Sequence, residues 1–525
     1  MPGSRSASLE PDPRPDAVGA EEVVAALTAV LDSQTFAAAP RSRDFLAYIV
    51  TEHLAGRDDR LGEHAVARHA LGRVEYDARL NSSVRVQASR LRATLQRYYD
   101  VEGAAATVRF TLPAGTYAPV VERHEAGPPA SAVQDDVAVA VLRFGSTGAG
   151  AAVIGTAVCD AVVEHLTGFP GLRVVGPTAV APTDAESAAR LLGVRFVLGG
   201  TVTVSDGAVG LEAVLTDASS GDTAWKVAEC LATADLDGAQ LEDRWAAAVA
   251  GQIGDATGVI FRRALARDDG PSSSVYAARL AYNDYLMKGT AESIGAAAAA
   301  LDLALESGPR AELLAMRGSI HNAEVNQGTA TSDRERELCS ADRLGRQALA
   351  LDPNSAIAYL VLGGTAWQRQ EWDTAHRHAT RAAELAPWNP TVLMSAGTLM
   401  AVAGDWDEGV QTLRRGFRLN PLHPGSAHSI PALACLITGD DAGALAEASL
   451  VHAPGQPWGP LYRALALAGL GYRDQAWAEM SQVLEIDPEF LDDPASYFTG
   501  GASFSSDELD TLLAHFEPFR GGKPI

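Results

Sequence analysis

LDPNSAIAYLVLGGTAWQRQEWDTAHRHATRAAELAPWNP, residues 351–390, places two helical runs between Pro353 and Pro387. The same punctuation recurs at Pro421, Pro454 and Pro488, so that five prolines stand 34, 34, 33 and 34 residues apart. Proline cannot continue a helix, and a fixed period of this length is the mark of a chain built from stacked helical pairs. Each pair cannot bury its apolar face alone and must lean on its neighbour. Such an array displays a binding surface and carries out no chemistry of its own, so function resides in what it binds and in the residues that precede it.

The 34-residue unit with a closing proline resembles the tetratricopeptide repeat, which implies an all-α solenoid over residues 275–515 and a short tail over 516–525. Gly363, Ala375 and Ala382 stand where the helices of that repeat touch closely, as do Gly397, Gly416, Ala464 and Ala476 later on. Trp372 and Trp406 read as clamps at the turns. The resemblance implies a concave groove lined by Leu360, Gly364, Trp367, Met394, Thr398, Leu461 and Leu465, with a peptide or protein helix as its partner or a second copy of the chain. The unit from Ala311 to Pro353 is some ten residues longer, with the polar run Thr329 to Arg336 as the expected loop. Pro431 falls inside an expected helix and predicts a kink or local loss of structure.

At 525 residues the chain is too long for a single core. Its net charge of −24 repels nucleic acid and anionic membrane on average. The average hides an island: residues 41–123 hold 13 arginines, no lysine and 10 acidic side chains. Cys159, Cys230, Cys339 and Cys435 lack the spacing of a zinc or dithiol motif and read as reduced, mostly buried thiols. Residues 1–20 contain no apolar core and read as a disordered tail, neither signal peptide nor anchor. No apolar run reaches 18 residues, so the expectation is a cytoplasmic protein without a membrane partner.

Within the basic island, helical patterns cover Glu21–Leu31, Arg41–Ala55 and Glu63–Leu71. In SSVRVQASRLRATLQRYY, residues 82–99, the stripe Val84, Ala88, Leu91, Leu95 and Tyr98 predicts the buried face of an amphipathic helix. At about 100° per residue, Arg85 and Arg92 fall on one flank of the opposite face and Arg90 and Arg97 on the other, with Ser89, Ala93 and Gln96 between. Two short strands follow, Val108–Leu112 and Thr116–Val121, joined through Pro113-Ala114-Gly115. A basic helix and a hairpin make a winged helix-turn-helix layout, although an arginine-rich face is also what a merely solvated helix presents.

VRVQASRLRATLQRYY followed by FTLPAGTYAPV resembles the DNA-binding domain of OmpR-type response regulators. Over residues 24–121, FLAYIVTEHLAG, LGR and NSSVRVQASRLRATLQRYY are similar to a bacterial domain that precedes TolB-like and tetratricopeptide segments in proteins labelled adenylate cyclase or transcriptional regulator. Asn81-Ser82-Ser83 replaces that family's Asp-Pro turn and keeps a helix cap. The resemblance implies a DNA-binding domain over 21–124 in which Arg85, Ser89, Arg92 and Gln96 face the major groove of double-stranded DNA, Arg90 and Arg97 lie nearer the phosphates, and Arg109 stands on the hairpin. Four arginines on phosphate predict a slope of about −3.6 in log K against log salt.

After a Pro- and Ala-rich linker at 125–136, strands are expected at Val137–Phe144, Leu172–Val175, Val194–Val204, Val209–Asp217 and Thr223–Glu229, and helices at Ala157–Leu166, Ala185–Leu192 and Leu241–Ala264. AVLRF, FPGLRVV, LGVRFVLGGTV and the DASSG hairpin resemble the TolB-like domain, which implies a scaffold or sensing module over 137–268 with no catalytic group. The runs GSTGAG (145–150) and Gly199-Gly200 lack GK[ST] or GxGxxG and read as loops or turns.

The chain shows no GxSxG, no HExxH and no cyclase pattern of paired metal-binding aspartates, and His376, His378, His423 and His428 read as surface or capping residues. The expectation is a multidomain α+β, non-enzymatic regulatory protein without metal or cofactor, binding DNA through its N-terminal domain and a partner through its repeats. The alternative is a scaffold that makes no DNA contact.

Overall fold

The computed structural model describes residues 19–37, 39–70, 83–103, 106–113, 116–123, 137–177, 185–205, 207–232, 238–266, 273–326, 333–452 and 456–520. The expected tail up to residue 18, the 125–136 linker, the 71–73 motif, the cap at 81–82, the hairpin turn at 114–115, part of the expected loop at 329–332, Pro454 and residues 521–525 lie outside them. The chain divides into two compact units, Met1–Ala132 and Val133–Ile525.

The first unit packs α1 (Ala20–Leu31), α2 (Gln34–Ala37), α3 (Pro40–Leu54), α4 (Glu63–His69) and α5 (Ser83–Val101) against an antiparallel hairpin, β1 (Val108–Thr111) and β2 (Val120–Arg123). Pro40 opens α3, where its missing N–H removes no helical bond, and Gly56 reverses the chain after it at φ 68°. The expected second strand starts later than its sequence suggests, because Pro119 has no N–H to offer the ladder and pairing begins only at Val120. Phe36, Phe45, Leu46, Ile49, Leu91, Phe110 and Leu112 form the core.

In the second unit the sheet runs β5-β3-β6-β7-β8, with β4 also on β6. β3 (Val137–Val141) lies parallel to β5 (Leu172–Val175) and to β6 (Phe196–Ser205), which continues antiparallel into β7 (Ala208–Asp217) and β8 (Asp222–Ala232). The Gly-rich run expected as a loop instead begins as a strand, β4 (Gly145–Thr147), which pairs with β6 beyond the end of β3. Gly148, at φ 102°, follows it so closely to β6 that a β-carbon would stand 2.0 Å from the Val204 carbonyl. The helices of this part are α6 (Ala151–Thr167), α7 (Ala185–Leu192), α8 (Gly238–Gly254) and α9 (Val259–Leu265). The last two replace one expected helix, which breaks at Asp255–Gly258 where Gly258 N–H turns back to the Asp255 carbonyl.

The described residues from Ser274 to Ala514 are mainly helices, most of them paired through short turns: α10 (Ser274–Lys288), α11 (Ala291–Leu305), α12 (Ala311–Asn326), α13 (Arg334–Leu351), α14 (Ala356–Gln368), α15 (Trp372–Leu385), α16 (Pro390–Val402), α17 (Trp406–Leu419), α18 (Ser429–Ile437), α19 (Asp441–Leu450), α20 (Trp458–Gly469), α21 (Arg473–Ile486), α22 (Pro494–Thr499) and α23 (Ser506–Ala514). α13, α15, α17 and α21 each end two residues before Pro353, Pro387, Pro421 and Pro488. The intervening residue has left the helical region, as a residue preceding proline must. Small residues set the contacts: Ala375 and Ala382 are fully buried, and a β-carbon on Gly397 would stand 2.5 Å from the Gly409 carbonyl.

Three features of the helical array depart from what its sequence leads one to expect. Pro431 does not kink a helix; it sits in the first turn of α18, where no N–H is needed, and the helix is short because a 3-10 turn, Gly425–His428, precedes it. The long unit absorbs its excess partly as helix, with 16 and 18 residues in α12 and α13 against 13 and 14 in the next pair, and Arg334–Arg336 belong to α13. Phe516 and Phe519, placed in the expected tail, are buried in the core cluster of the last helices.

The α/β part and the helical array are packed together. Trp388 lies edge-on to Phe169 at 5.3 Å, and a β-carbon on Gly251 of α8 would meet the Leu419 carbonyl at 2.7 Å. Among the described residues no helix is long and apolar enough to cross a membrane.

Candidate functional site

The expected stripe of α5, Val84, Ala88, Leu91, Leu95 and Tyr98, is buried throughout. Burial extends well past it. α2, α3, α4 and β1 all pack on α5, and Gln87, Ser89, Arg90 and Thr94 are enclosed as well. Arg90 is 2% exposed and Ser89 5%, so neither side chain faces a groove or a phosphate in this fold. Thr94 returns its hydroxyl to the Arg90 carbonyl at 2.9 Å, and Gln87 donates to Ser42 of α3 at 3.4 Å.

Arg92, expected to face the major groove, closes the hairpin turn instead. Its Nε donates to the Leu112 carbonyl at 2.6 Å and its Nη2 to the Pro113 carbonyl at 3.0 Å. Arg109 lies half-buried with its guanidinium 5.1 Å over the Tyr99 ring. Tyr99 accepts the Phe110 N–H at 2.6 Å, and burial pushes its phenol above the ordinary range. Of the expected contact residues, Gln96 is exposed and Arg97 half-buried. Arg85 stands in α5, and its side chain lies outside the described residues.

The expected partner groove is partly interior, with three of its seven residues buried. Leu461 and Leu465 are fully buried in the cluster that also contains Phe498, Phe516 and Phe519, and Met394 is buried against Gly416. Leu360 and Thr398 are half-buried. Gly364 faces Asn322 of α12, whose amide donates to the Val361 carbonyl at 2.9 Å and whose side-chain oxygen accepts from Thr365 at 3.1 Å. Trp367 donates its indole N–H to the Gly501 carbonyl at 2.7 Å, so the chain's own C-terminal segment lies against it.

Two groups of histidine and carboxylate side chains lie close together, His321 with Glu324 and Glu337, and His376 with Asp405 and Glu408. Both have partners within the array. His321 meets Glu337 at 2.5 Å, joining α12 to α13, and Arg317 stands 3.6 Å from Glu324. The His321 hydrogen bond, outweighing burial and aided by Arg317, holds Glu324 below the usual carboxylate range. Asp405 caps α17 by accepting the Glu408 N–H at 3.1 Å. His423 stacks on Phe417 at 3.9 Å, and His428 bonds Glu447 at 2.6 Å. The four thiols are free; Cys159 is buried, which pushes it up to about 12, whereas Cys230 and Cys339 are exposed, contrary to the expectation of burial.

A residue that sequence reasoning passed over joins the two parts of the second unit. Asp255, fully buried at the break between α8 and α9, accepts from Thr391 N–H (3.2 Å) and hydroxyl (2.8 Å) on one oxygen. Its other oxygen accepts from Thr257 N–H (3.2 Å), Thr257 hydroxyl (2.7 Å) and the Asn420 amide (3.0 Å). Five donors surround one carboxylate, so both of its oxygens are satisfied and it serves as a clasp. An isolated Asp after a helix gives no sequence signal for this. The C-terminal segment had one: five of the 13 phenylalanines fall after Asp487, too many for a tail.

Compared with protein-family models and with curated proteins, the chain matches none.

Proposed function

We propose that the protein is a non-enzymatic interaction platform whose helical array, similar to tetratricopeptide repeats, is braced by a TolB-like α/β part. The observation that carries this reading is the run of helical pairs from α10 to α21 with prolines in register and small residues at the closest contacts. The test is capture of the full chain from its native cells after nuclease treatment, with crosslinks mapped onto it. Protein partners crosslinked within residues 273–520 are expected. Recovery of nucleic acid alone, with crosslinks confined to residues 19–123, refutes it.

A second reading keeps DNA as a partner of the first unit, as its winged-helix-like order and arginine content suggest. Among the described side chains the candidate contacts are Gln96 and Arg97, with Arg109 on the hairpin, and Arg85 stays a candidate from the sequence alone. Two phosphate contacts in place of four give a salt slope of about −1.8. Binding of the full chain to duplex DNA is expected to fall accordingly with salt, and Arg97→Ala to flatten the slope by about 0.9. No binding at low salt, or an unchanged slope in Arg97→Ala, removes this reading.

A further inference from the structure

Thr499 ends α22, and the chain then runs non-helically back along the edge of the array where the first helix of each pair turns into the second. Trp367, at the end of α14, holds the Gly501 carbonyl, and Gln370 in the next turn reaches the Gly500 carbonyl at 3.5 Å. Gln370, at φ 60°, takes the left-handed position that closes α14, as Gly404, Gly439 and Gly471 do after the first helices of later pairs, and its side chain is thereby set beside the segment. One pair further on, the Val402 carbonyl at the end of α16 accepts the Ser503 N–H at 2.8 Å, and Trp406 stacks on Phe504 with centroids 5.4 Å apart and planes 22° from parallel. Beyond that pair, His515 bonds Asp441 of α19 at 2.6 Å.

The segment is therefore gripped by its backbone at Gly500, Gly501 and Ser503 and by two alternate side chains, Ala502 buried and Phe504 stacked. Main-chain bonds for affinity and every second side chain for selectivity is how surfaces recognise extended peptides. Its attachment is also lopsided. Phe498 on one side and Phe516 and Phe519 on the other are deeply buried, whereas Ala502 is the one buried residue from Gly500 to Ser505. A stretch with so little buried apolar surface between two firm anchors opens locally at far lower free energy than the body of the array.

We propose that the edge formed by Trp367, Gln370, Val402 and Trp406 is a docking site for an extended peptide carrying a small residue two places before an aromatic one, and that Gly500–Phe504 covers this site until such a segment displaces it. This rests on the reading of the array as a platform and adds the surface and the class of partner. Because the covering segment is tethered, its effective concentration is of order millimolar, and a free peptide competes poorly until the tethered copy is weakened.

The probe is a labelled peptide of residues 497–506, YFTGGASFSS, titrated against the full chain. Phe504→Ala in the full chain removes the stack from the tethered copy only, and is expected to raise peptide affinity about tenfold. A peptide with Ala in place of its second Phe is expected not to bind. Hydrogen exchange of the unaltered chain is expected to show Ser503 and Phe504 amides exchanging at least a hundredfold faster than those of α20. Peptide affinity within twofold of a scrambled peptide in the Phe504→Ala chain, or protection of Ser503 equal to that of α20, overturns the proposal. Either result leaves the platform reading standing, since partner crosslinks to the array test that separately.

Discussion

Asp255→Ala is the sharpest single perturbation of the second unit. Truncation withdraws both acceptor oxygens from five donors at once. Two hydroxyls can rotate elsewhere, and Thr391, half-buried, can find water. The Thr257 N–H cannot, since Thr257 is 1% exposed, whereas the Asn420 amide keeps the Thr257 hydroxyl oxygen at 3.0 Å. One stranded buried donor costs about 1–3 kcal/mol, and the charge-assisted bonds are lost as well, so a destabilisation of about 3 kcal/mol is expected. The assay is urea unfolding of the full chain followed by tryptophan fluorescence and by far-UV circular dichroism. Unaltered protein is expected to show the α/β and helical parts unfolding together; in Asp255→Ala the two probes should separate, because the clasp spans both. Thr391→Val, which removes one hydroxyl bond, is expected to cost about 1 kcal/mol. In a cycle with Asn420→Leu the coupling should reach about 1–3 kcal/mol. A loss below about 1 kcal/mol in Asp255→Ala, with coincident probes, would show that this carboxylate does not join the two parts.

Gly397→Ala drives a β-carbon to within 2.5 Å of the Gly409 carbonyl and should cost about 1–3 kcal/mol in thermal unfolding, whereas Gly295→Ala, with open space around it on α11, should be neutral or stabilise by up to about 1 kcal/mol. Burial would raise the Asp217 carboxyl, but Arg195 (2.8 Å) and the Ser219 hydroxyl and amide outweigh it and bring the carboxyl down to about 2. A carboxylate depressed in the folded state adds stability that is full above its unfolded value near 4 and is lost as pH falls through about 2, so the stability gap between the unaltered chain and Asp217→Asn should be about 2 kcal/mol at pH 5 and close towards pH 2. Timed alkylation read by mass spectrometry should label Cys230 and Cys339 first and Cys159 only on unfolding; early labelling of Cys159 contradicts its burial on the inner face of α6. Arg92→Ala should lower the stability of the first unit by about 1–3 kcal/mol through loss of its two carbonyl bonds, and an unchanged urea midpoint would refute that role.

Rules that act within a few residues were legible. The residue before a proline is barred from the helical region, so Pro353, Pro387, Pro421 and Pro488 marked the ends of α13, α15, α17 and α21 before any packing was known. Alternation in β7 and the apolar stripe of α5 carried the same local certainty. A helical projection, however, gives directions around an axis and says nothing of how many elements close on it. Four elements pack on α5, so Ser89 and Arg90 lie inside the first unit and Arg92 bonds the hairpin turn, although all three stood on the polar face of the projection. The groove residues Leu461 and Leu465 were misread for the same reason, since a segment more than 30 residues downstream shares their core.

The sequence by itself determined the ends of the helical pairs, their period and the mixed α/β character of the middle part, because these follow from steric limits and side-chain periodicity along the chain. Tertiary structure alone decided which charged groups face inward, how Asp255 joins the α/β part to the array, and where the C-terminal segment comes to rest. Those outcomes depend on contacts between residues distant in the chain, 20 positions apart for Arg92 with Leu112, 134 for Trp367 with Gly501 and 136 for Asp255 with Thr391, and burial is a property of the neighbours that a side chain meets, which no local pattern encodes.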